Sequence, residues 1–348
     1  MRQTLFRYGT PLLALGCIAM LGLILLNREA PATVTALLQS TQLQAFNVLF
    51  IGILLEAFPF ILLGVIFSAI LQVFVSDETI RRFTPSSIWG GLLFGGLLGI
   101  IFPLCECGMI PVIRRLIRKG MPAYIGMTYL LAGPIINPIV FSSTYIAFRS
   151  NPEVTYSRMA LAFAVAVSIG LVFAKFAKHS PLREAGHTHA HAHIHAHTHT
   201  HTHTHTHATG GGKGQSKWSA TLGHASDEFF DMGKYLIFGA LLTAIIQTSI
   251  EREMLASIAD QPLLGYMLMM AFAFLLSICS TTDAFIAASF GGMFQTGPLL
   301  AFLVFGPMVD LKNTLMLLST FKVKVVLLLI GLVFAFTLAG AMLTEVLL

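Results

Sequence analysis

The sequence predicts an all-α polytopic membrane protein, built as an inverted repeat of transmembrane helices with broken or re-entrant helical hairpins. Hydrophobic residues make up 55% of the 348 residues and charged residues only 11%, whereas a soluble domain carries about 25% charged residues. Apolar segments long enough to cross a bilayer recur along the chain. The two halves of the chain also resemble each other, and polar residues interrupt both halves at matching places.

The N-terminal segment, residues 1–43, is predicted to form a transmembrane helix of its own. Arg2 and Arg7 precede an apolar run at 11–27, and the motif A-P-A follows it, so the segment resembles a signal peptide. The apolar run continues well past Cys17, which argues against a lipoprotein signal. We therefore interpret the segment as an uncleaved first helix.

The rest of the chain is predicted to form a first transmembrane repeat at 44–178 and a second at 227–348. Predicted spans within these repeats cover 44–75, 121–148, 158–178, 228–250, 297–320 and 323–347. Two further apolar regions, 88–118 and 262–295, contain Gly, Pro, Cys or polar residues in the middle. Each is predicted to form two short helices that meet inside the membrane.

The repeat is visible in two matched motifs. The segment E-A-F-P-F-I-L-L-G from residue 56 resembles D-M-G-K-Y-L-I-F-G from residue 231, an offset of 175 (231 − 56). The Gly-Pro pairs at 133 and 306 give nearly the same offset, 173 (306 − 133). Two pairs of motifs with nearly the same offset argue against a chance similarity of the halves. The chain reaches the second copy from the opposite membrane face in the predicted topology, so the repeat is predicted to be inverted.

Lys and Arg residues set the predicted orientation, because they are enriched in cytoplasmic loops. Basic residues assigned to the cytoplasm lie on both sides of the His tract, so the segment 179–226 is predicted to be a His-rich cytoplasmic loop. Arg149, Arg158 and Arg252 are predicted to lie at the external surface. The expected cytoplasmic charges are Arg2, Arg7, Arg81, Arg82, the run 114–119, Lys175, Lys178, Arg183, Lys213, Lys217, Lys322 and Lys324.

The two interruptions, C-E-C-G from residue 105 and C-S-T-T-D from residue 279, occupy corresponding places in the halves. Inverted repeats with broken helices are typical of secondary transporters, whose binding site lies near the bilayer midplane at the repeat interface. We expect both interruptions to face one site. The predicted substrate-binding residues are Cys105, Glu106, Cys107, Gly133, Pro134, Asn137, Cys279, Thr281, Thr282, Asp283, Gly306, Pro307 and Asp310.

Glu106, between two cysteines, carries the strongest signal, because ionisable groups inside membrane segments are costly and usually functional. Thiol ligands favour soft metals and thiol-reactive solutes. The structural alternative is that Cys105 and Cys107 are small buried hydrophobes and that Glu106 caps a helix. Asp283 has the same alternative, since S-T-T-D before an apolar run is typical of a helix N-terminus.

The two Gly-Pro pairs are predicted to break long helices, with Asn137 and Asp310 lining the site; simple proline kinks are the alternative. Lys312 is interpreted either as an internal partner of Asp310 or as a side chain that snorkels to the interface. Glu56 is interpreted as an interfacial or loop-facing carboxylate.

The low-complexity tract at 187–207 alternates histidine with small residues, and neutral imidazole binds transition metals. The glycine-rich stretch after it indicates a flexible loop, so a solvated linker is the alternative interpretation. The predicted metal ligands are His187, His189, His191, His193, His195, His197, His199, His201, His203, His205 and His207.

The motifs F-P-L-C-E-C-G-M-I-P-V, R-R-L-I-R-K-G-M-P and L-L-A-G-P-I-I-N-P resemble those of a family of predicted bacterial permeases that includes the efflux permeases for trivalent organoarsenicals. The resemblance covers roughly 45–348 without the His tract. It implies a polytopic inner-membrane transporter with a permease-type fold. The His tract is foreign to the arsenical-permease pattern, so transition metals stay among the expected substrates.

These observations predict a secondary permease that exports a soft metal, a metalloid or a thiol-reactive small solute, with the bilayer as its other partner. No nucleotide-binding motif is present, and we expect neither enzymatic activity, a resident cofactor nor a nucleic-acid partner. The alternatives are a metal-buffering or metal-sensing membrane protein centred on the His tract, and a membrane thiol oxidoreductase. A C-x-C pair differs from the C-x-x-C redox motif, which disfavours the oxidoreductase.

Overall fold

A computed structural model of the protein describes residues 41–85, 87–176, 181–182, 217–249 and 262–347. Within these ranges the chain forms thirteen α-helices, and its β-structure is limited to an isolated antiparallel bridge between Leu182 and Phe321. The predicted N-terminal helix at 11–27 and the His tract lie outside the described residues.

The first half of the described chain contains seven helices. Their bounds are α1 Thr41–Phe74, α2 Asp77–Phe83, α3 Ile88–Ile101, α4 Glu106–Arg118, α5 Ala123–Ala132, α6 Pro138–Ala147 and α7 Pro152–Phe176.

The second half contains six described helices. Their bounds are α8 Lys217–Ser249, α9 Pro262–Leu276, α10 Asp283–Ser289, α11 Thr296–Met308, α12 Leu311–Thr320 and α13 Val323–Leu347. Helix α8 thus begins at Lys217, upstream of the predicted start of the second repeat at 227.

Four described segments are long and apolar enough to cross a bilayer: Leu43–Phe74, Pro152–Phe176, Thr296–Thr320 and Val323–Leu347. Helices α2 and α3 form a further candidate span that bends by 106° between them. The prediction of an all-α, multi-pass membrane protein is confirmed. That the repeat is inverted stays a prediction.

Both predicted interruptions fall between helices. The chain leaves α3 at Phe102, and Pro103, which has no amide hydrogen, separates it from α4. In the second half α9 ends at Leu276, and Ser277 adopts φ 51°, a left-handed conformation that is uncommon for a residue with a side chain. Each interruption therefore starts a new helix whose first residue is acidic, Glu106 in α4 and Asp283 in α10.

Equivalent helices of the two halves make equivalent contacts. Helix α4 of the first half contacts α12 of the second, and α10 of the second contacts α6 of the first. Likewise α3 contacts α5 as α9 contacts α11, and α5 contacts α7 as α11 contacts α13. The halves differ at their first helices, since α1 packs along α4 whereas α8 packs along α12. Each interruption therefore lies against the other half of the molecule.

Helix α4 is held close to α1 by a contact between two glycines. A Cβ atom at Gly64 would lie 2.6 Å from the Cα of Gly108, and one at Gly108 would lie 2.7 Å from the carbonyl oxygen of Phe60. Only glycine at both positions lets the backbones approach so closely. The glycine of C-E-C-G thus brings the preceding Glu106 and its cysteines against α1.

Candidate functional site

The interruptions of both halves open onto one pocket. Its free volume is about 10 Å³, which is close to what a single water molecule needs. The pocket is small, and thiol, carboxyl and amino groups line it together with apolar side chains. The lining residues are Ile53, Glu56, Ala57, Phe60, Cys105, Glu106, Cys107, Cys279 and Lys312.

Glu106 and Lys312 form an ion pair across the interface of the two halves. Lys312 Nζ lies 3.8 Å from Glu106 Oε1 and 4.0 Å from Asp310 Oδ2, and all three side chains are buried. Both distances exceed those of direct hydrogen bonds. Within the described part of the chain, Glu106 Oε2 has no hydrogen-bond partner. One ammonium group therefore serves two buried carboxylates without a close contact to either.

Ser277, at the interruption of the second half, holds Lys312 in place. Its hydroxyl accepts a hydrogen bond from the Lys312 backbone amide at 3.0 Å, and its carbonyl oxygen lies 3.4 Å from Lys312 Nζ. The uncommon backbone conformation of Ser277 coincides with both contacts. The interruption thus positions the cation that faces Glu106.

Asp283, the acidic residue of the second interruption, binds Arg158 of α7. Arg158 Nη2 lies 2.8 Å from Oδ2 and 3.0 Å from Oδ1, and the same nitrogen donates to the Ser280 carbonyl at 3.2 Å. Arg158 Nη1 donates to the Thr144 hydroxyl of α6 at 2.7 Å. Arg158 is fully buried. Its short hydrogen bonds tie α6, α7 and α10 together.

The three described cysteines are free thiols. Cys107 and Cys279 are buried and Cys105 is half-buried. Thr281, also half-buried, places its hydroxyl 3.5 Å from the Cys279 sulfur. The predicted cysteines thus meet at one pocket although they come from different halves of the chain.

The predicted residues of the Gly-Pro segments lie elsewhere. The Asn137 side chain caps α6 by accepting from the Val140 amide at 2.9 Å, and Asp310 caps α12 by accepting from the Asn313 amide. Neither belongs to the described pocket wall, although Asp310 approaches it through Lys312.

The helix breaks at these segments are also less alike than predicted. In the first half α5 ends at Ala132, directly before Gly133 and Pro134. In the second half Gly306 and Pro307 lie in the last turn of α11, which ends at Met308, and α12 begins at Leu311, so the predicted break lies at Val309 and Asp310 and not at the Gly-Pro pair itself. The side chain of Thr282 makes no capping hydrogen bond and is exposed.

Two residues of this region were misassigned by reasoning from sequence. The prediction that Arg158 lies at the external surface is wrong, because its side chain is buried against Asp283. Glu56, interpreted as interfacial or loop-facing, is half-buried in the pocket wall. For Lys312, the interpretation as an internal partner of Asp310 agrees with the structure. In the sequence Arg158 stood at the first position of the predicted span 158–178, whereas in the structure it is the seventh residue of α7, which begins at Pro152.

The described residues contain no group of three His, Cys, Asp or Glu side chains arranged to hold a metal ion. The predicted ligands of the His tract lie outside the described ranges, so their metal binding stays a prediction.

Apolar helices of spanning length, interrupted helices and buried charges around a polar pocket define a multi-pass membrane protein of the transporter class. The chain belongs to the ArsP_1 family, described as "Predicted permease", whose profile matches residues 42–346. The resemblance inferred from the motifs is thereby confirmed. The protein is a membrane permease.

Two curated relatives match most of the chain. The UPF0718 protein YcgR of Bacillus subtilis (strain 168) is 46% identical over 310 residues, which cover 88% of this chain and 99% of that protein. A protein of Streptococcus mutans serotype c, named "Putative two-component membrane permease complex subunit", is 37% identical over 294 residues, covering 84% of this chain and 92% of that protein. No solved structure matches the chain.

Proposed function

We propose that the protein is a secondary permease of the bacterial inner membrane that exports a small thiol-reactive solute, a trivalent metalloid species above all, through the pocket between its two halves. The single observation that carries this proposal is the convergence of Cys105, Cys107 and Cys279 on one pocket. Thiol groups select soft metals and metalloids over hard ions. The site is assembled from both halves, as in transporters built from repeats.

The size and polarity of the pocket support a small solute. With about 10 Å³ of free volume, the pocket has room for little more than one water molecule, so a drug-sized compound would need the helices to separate. The pocket lining combines a basic side chain, Lys312, with two acidic ones, Glu106 and Glu56. A small, neutral and thiol-reactive solute suits this surface better than a multiply charged ion. Export is supported by the resemblance of the motifs to those of the organoarsenical efflux permeases.

The test is a sensitivity panel on a strain that lacks the gene. The strain is challenged with trivalent arsenicals and antimonials and with Cd²⁺, Zn²⁺, Co²⁺ and Ni²⁺, with and without the gene on a plasmid. We expect the gene to restore growth on at least one trivalent metalloid and to lower its cellular content. The variants C105S, C107S and C279S should lose this protection, whereas C17S, which keeps all three pocket cysteines, should retain it. Equal protection by all four variants would contradict the proposal.

The His tract supports a second candidate, a membrane protein that buffers or senses transition metals. Eleven histidines alternate through 187–207, and neutral imidazole is a good ligand for Zn²⁺, Ni²⁺, Co²⁺ and Cu²⁺. Deleting 187–207 separates the two candidates. A permease that works through the pocket retains flux without the tract, whereas a buffering protein loses its metal-dependent phenotype.

A further inference from the structure

We infer that Glu106 is the proton carrier of this permease and that Lys312, held between Glu106 and Asp310, is the internal cation that lets it change charge. This inference rests on the proposed function, since it names the ion that would drive solute movement. It is carried by the charges and distances of a buried cluster that α4 and α12 form together.

Counting charges shows why this cluster takes up a proton. With Glu106, Asp310 and Lys312 all ionised, it carries one net negative charge (−1 − 1 + 1), and all three residues are at most 4% exposed. A net charge buried away from water is costly, whereas a neutral, paired cluster is much less so. One proton on a carboxylate makes the cluster neutral. The cluster therefore has two states that differ by a single proton.

Glu106 is the better proton acceptor of the two carboxylates. Asp310 has one oxygen committed to the Asn313 amide, which stabilises its ionised form. Glu106 Oε2 and Asp310 Oδ2 both lack a hydrogen-bond partner among the described residues, but Glu106 is the one of the two that lines the pocket, so a proton can reach it from there. When Glu106 takes the proton, Lys312 remains paired with Asp310. When Glu106 releases it, the ammonium again serves both carboxylates.

The other buried ion pair provides an internal comparison. Asp283 meets Arg158 at 2.8 Å and 3.0 Å, and neighbouring groups engage both terminal nitrogens of the guanidinium. That pair is neutral by itself (−1 + 1) and lies outside the described pocket wall. It has the geometry of a fixed structural contact. The pair of Glu106 and Lys312, at 3.8 Å, is the loose one.

The surroundings of Glu106 are compatible with this assignment. Helix α1 contributes Glu56, a half-buried carboxyl group that lines the same pocket. Helix α5, which packs on α4 as well, brings Tyr129, whose hydroxyl is engaged with the Phe102 carbonyl at 3.3 Å. Helix α8 brings Gly239 against Lys312. Further ionisable groups near Glu106 are the thiols of Cys105, Cys107 and Cys279 and, from the second interruption, Asp283.

The location of Glu106 between Cys105 and Cys107 links the proton to the solute. Cys105, Glu106 and Cys107 all line the same pocket, and its free volume of about 10 Å³ leaves a solute on the thiols no place apart from the carboxylate. Solute occupancy and the charge of Glu106 are thereby coupled. A ligand shifts an equilibrium between two states by its different affinity for them, which is what an exchange of proton for solute requires.

The first experiment tests whether Glu106 binds a proton in the purified full-length protein, without any solute. Infrared difference spectroscopy between acidic and alkaline pH should show the carbonyl band of a protonated carboxylic acid. We expect this band to disappear in E106Q, to persist in the conservative variant E106D and to be unchanged in E153Q, which removes an exposed carboxylate. A band that E106Q leaves unchanged, or a spectrum without one, overturns the inference whether or not a substrate is known.

The second experiment measures coupling in proteoliposomes with methylarsonous acid, a small, neutral, trivalent arsenical. Because the probe is neutral, a pH gradient concentrates it only if protons move with or against it. We expect the wild-type protein and the surface control K234M, which replaces an exposed lysine, to concentrate the probe. E106Q should still move it downhill but lose the gradient-driven accumulation by at least about tenfold, a change of about 1.4 kcal/mol.

The outcomes of the second experiment separate the two proposals. If the wild type moves the probe but the pH gradient has no effect and E106Q equals the wild type, the proton inference is wrong and the permease proposal stands. If the wild type moves no trivalent metalloid in vesicles or in cells, the proposed function is wrong. The infrared band then shows independently whether Glu106 binds and releases a proton. Size-exclusion profiles of each variant exclude misfolding as the cause of a loss.

Discussion

Arg158 of α7 and Asp283 of α10 stand 125 positions apart in the chain and meet at 2.8 Å in the buried interior. The reverse arrangement holds in the other half, where Lys312 of α12 faces Glu106 of α4 at 3.8 Å. Each interrupted helix therefore begins with a carboxylate whose counter-cation comes from the opposite half. The distance between the charged atoms is shorter in the pair of Arg158 and Asp283 than in the pair of Lys312 and Glu106. We assign a structural role to the first pair and a role in transport to the second, which lines the pocket.

Replacing Arg158 should destabilise the protein severely. In R158M the Asp283 carboxylate is left buried without its cation, which costs about 3–5 kcal/mol of the free energy of unfolding. We expect a much lower melting temperature and less protein in the membrane. The double variant R158M/D283L, which removes both charges, should recover part of this loss because no unpaired charge remains.

R149M serves as the matched control for this prediction, since Arg149 is exposed. Its melting temperature should stay close to that of the wild type. If the double variant loses as much as the two single changes added together, Arg158 and Asp283 do not act as a pair.

The contact between Gly64 and Gly108 should tolerate no side chain. In G64A the new methyl group would lie 2.6 Å from the Gly108 Cα, and because the obstacle is backbone, α1 and α4 must separate. Overpacking of this kind costs about 1–3 kcal/mol, and we expect lower thermal stability in detergent. G52A, on the same helix with nothing within 4 Å of its added Cβ, should be neutral or slightly stabilising, because alanine favours the helix. Equal stability of both variants would show that the close contact is absent.

Asp310 combines a cap with a charge, and substitutions can separate these roles. D310N keeps the oxygen that accepts from the Asn313 amide and removes the charge beside Lys312, so its thermal stability should stay near that of the wild type. Glu106 and Lys312 then form a neutral pair without an added proton. Protonation of Glu106 would now leave a buried positive charge, so the pH midpoint of transport should move to lower pH.

Variants of Asn137 and Asp310 distinguish the effect of losing a helix cap from the effect of losing a charge. D310A should show the same shift in pH midpoint and lose about 1 kcal/mol of stability with the cap. N137A removes the equivalent cap of α6 and should lose similar stability with no shift in the pH profile. A pH midpoint of D310N that matches the wild type would exclude Asp310 from the proton-binding cluster.

The His tract should face the cytoplasm. Lys175, Lys178 and Arg183 precede it and Lys213 and Lys217 follow it, which favours the inner face. A cysteine introduced at Gly211 in a cysteine-free background should resist a membrane-impermeant thiol reagent in intact cells and react after permeabilisation. Fast labelling of intact cells would reverse the proposed topology.

The sequence was most informative where local chemistry determines structure. Proline at 103 and the polar run at 279–283 located the two interruptions, because neither a missing amide nor a cluster of polar side chains continues an apolar helix easily. Glu106 and Asp283 stood out because a carboxylate inside an apolar segment needs a partner.

The partners themselves could not be read from the sequence. Arg158 and Lys312 lie far along the chain from their carboxylates, and only tertiary packing brings them together. Charges near the ends of apolar segments are ordinarily loop charges, which is why Arg158 was assigned to the surface. Glu56 was misplaced for the same reason, since its depth depends on how α1 is positioned against α4.

The exchange of counter-cations between halves has a consequence for biosynthesis. Ribosomes deliver Glu106 to the membrane long before Lys312 exists, so the first half enters the bilayer with a carboxylate that lacks its cation. Until the second half arrives, that carboxylate must stay in contact with water or carry a proton, because an isolated charge in hydrocarbon is too costly. Helix α4 therefore settles at its final depth only after the last third of the chain has been inserted. Insertion of this permease is consequently completed late, because Glu106 and Arg158 of the first half both gain their partners only when the second half arrives.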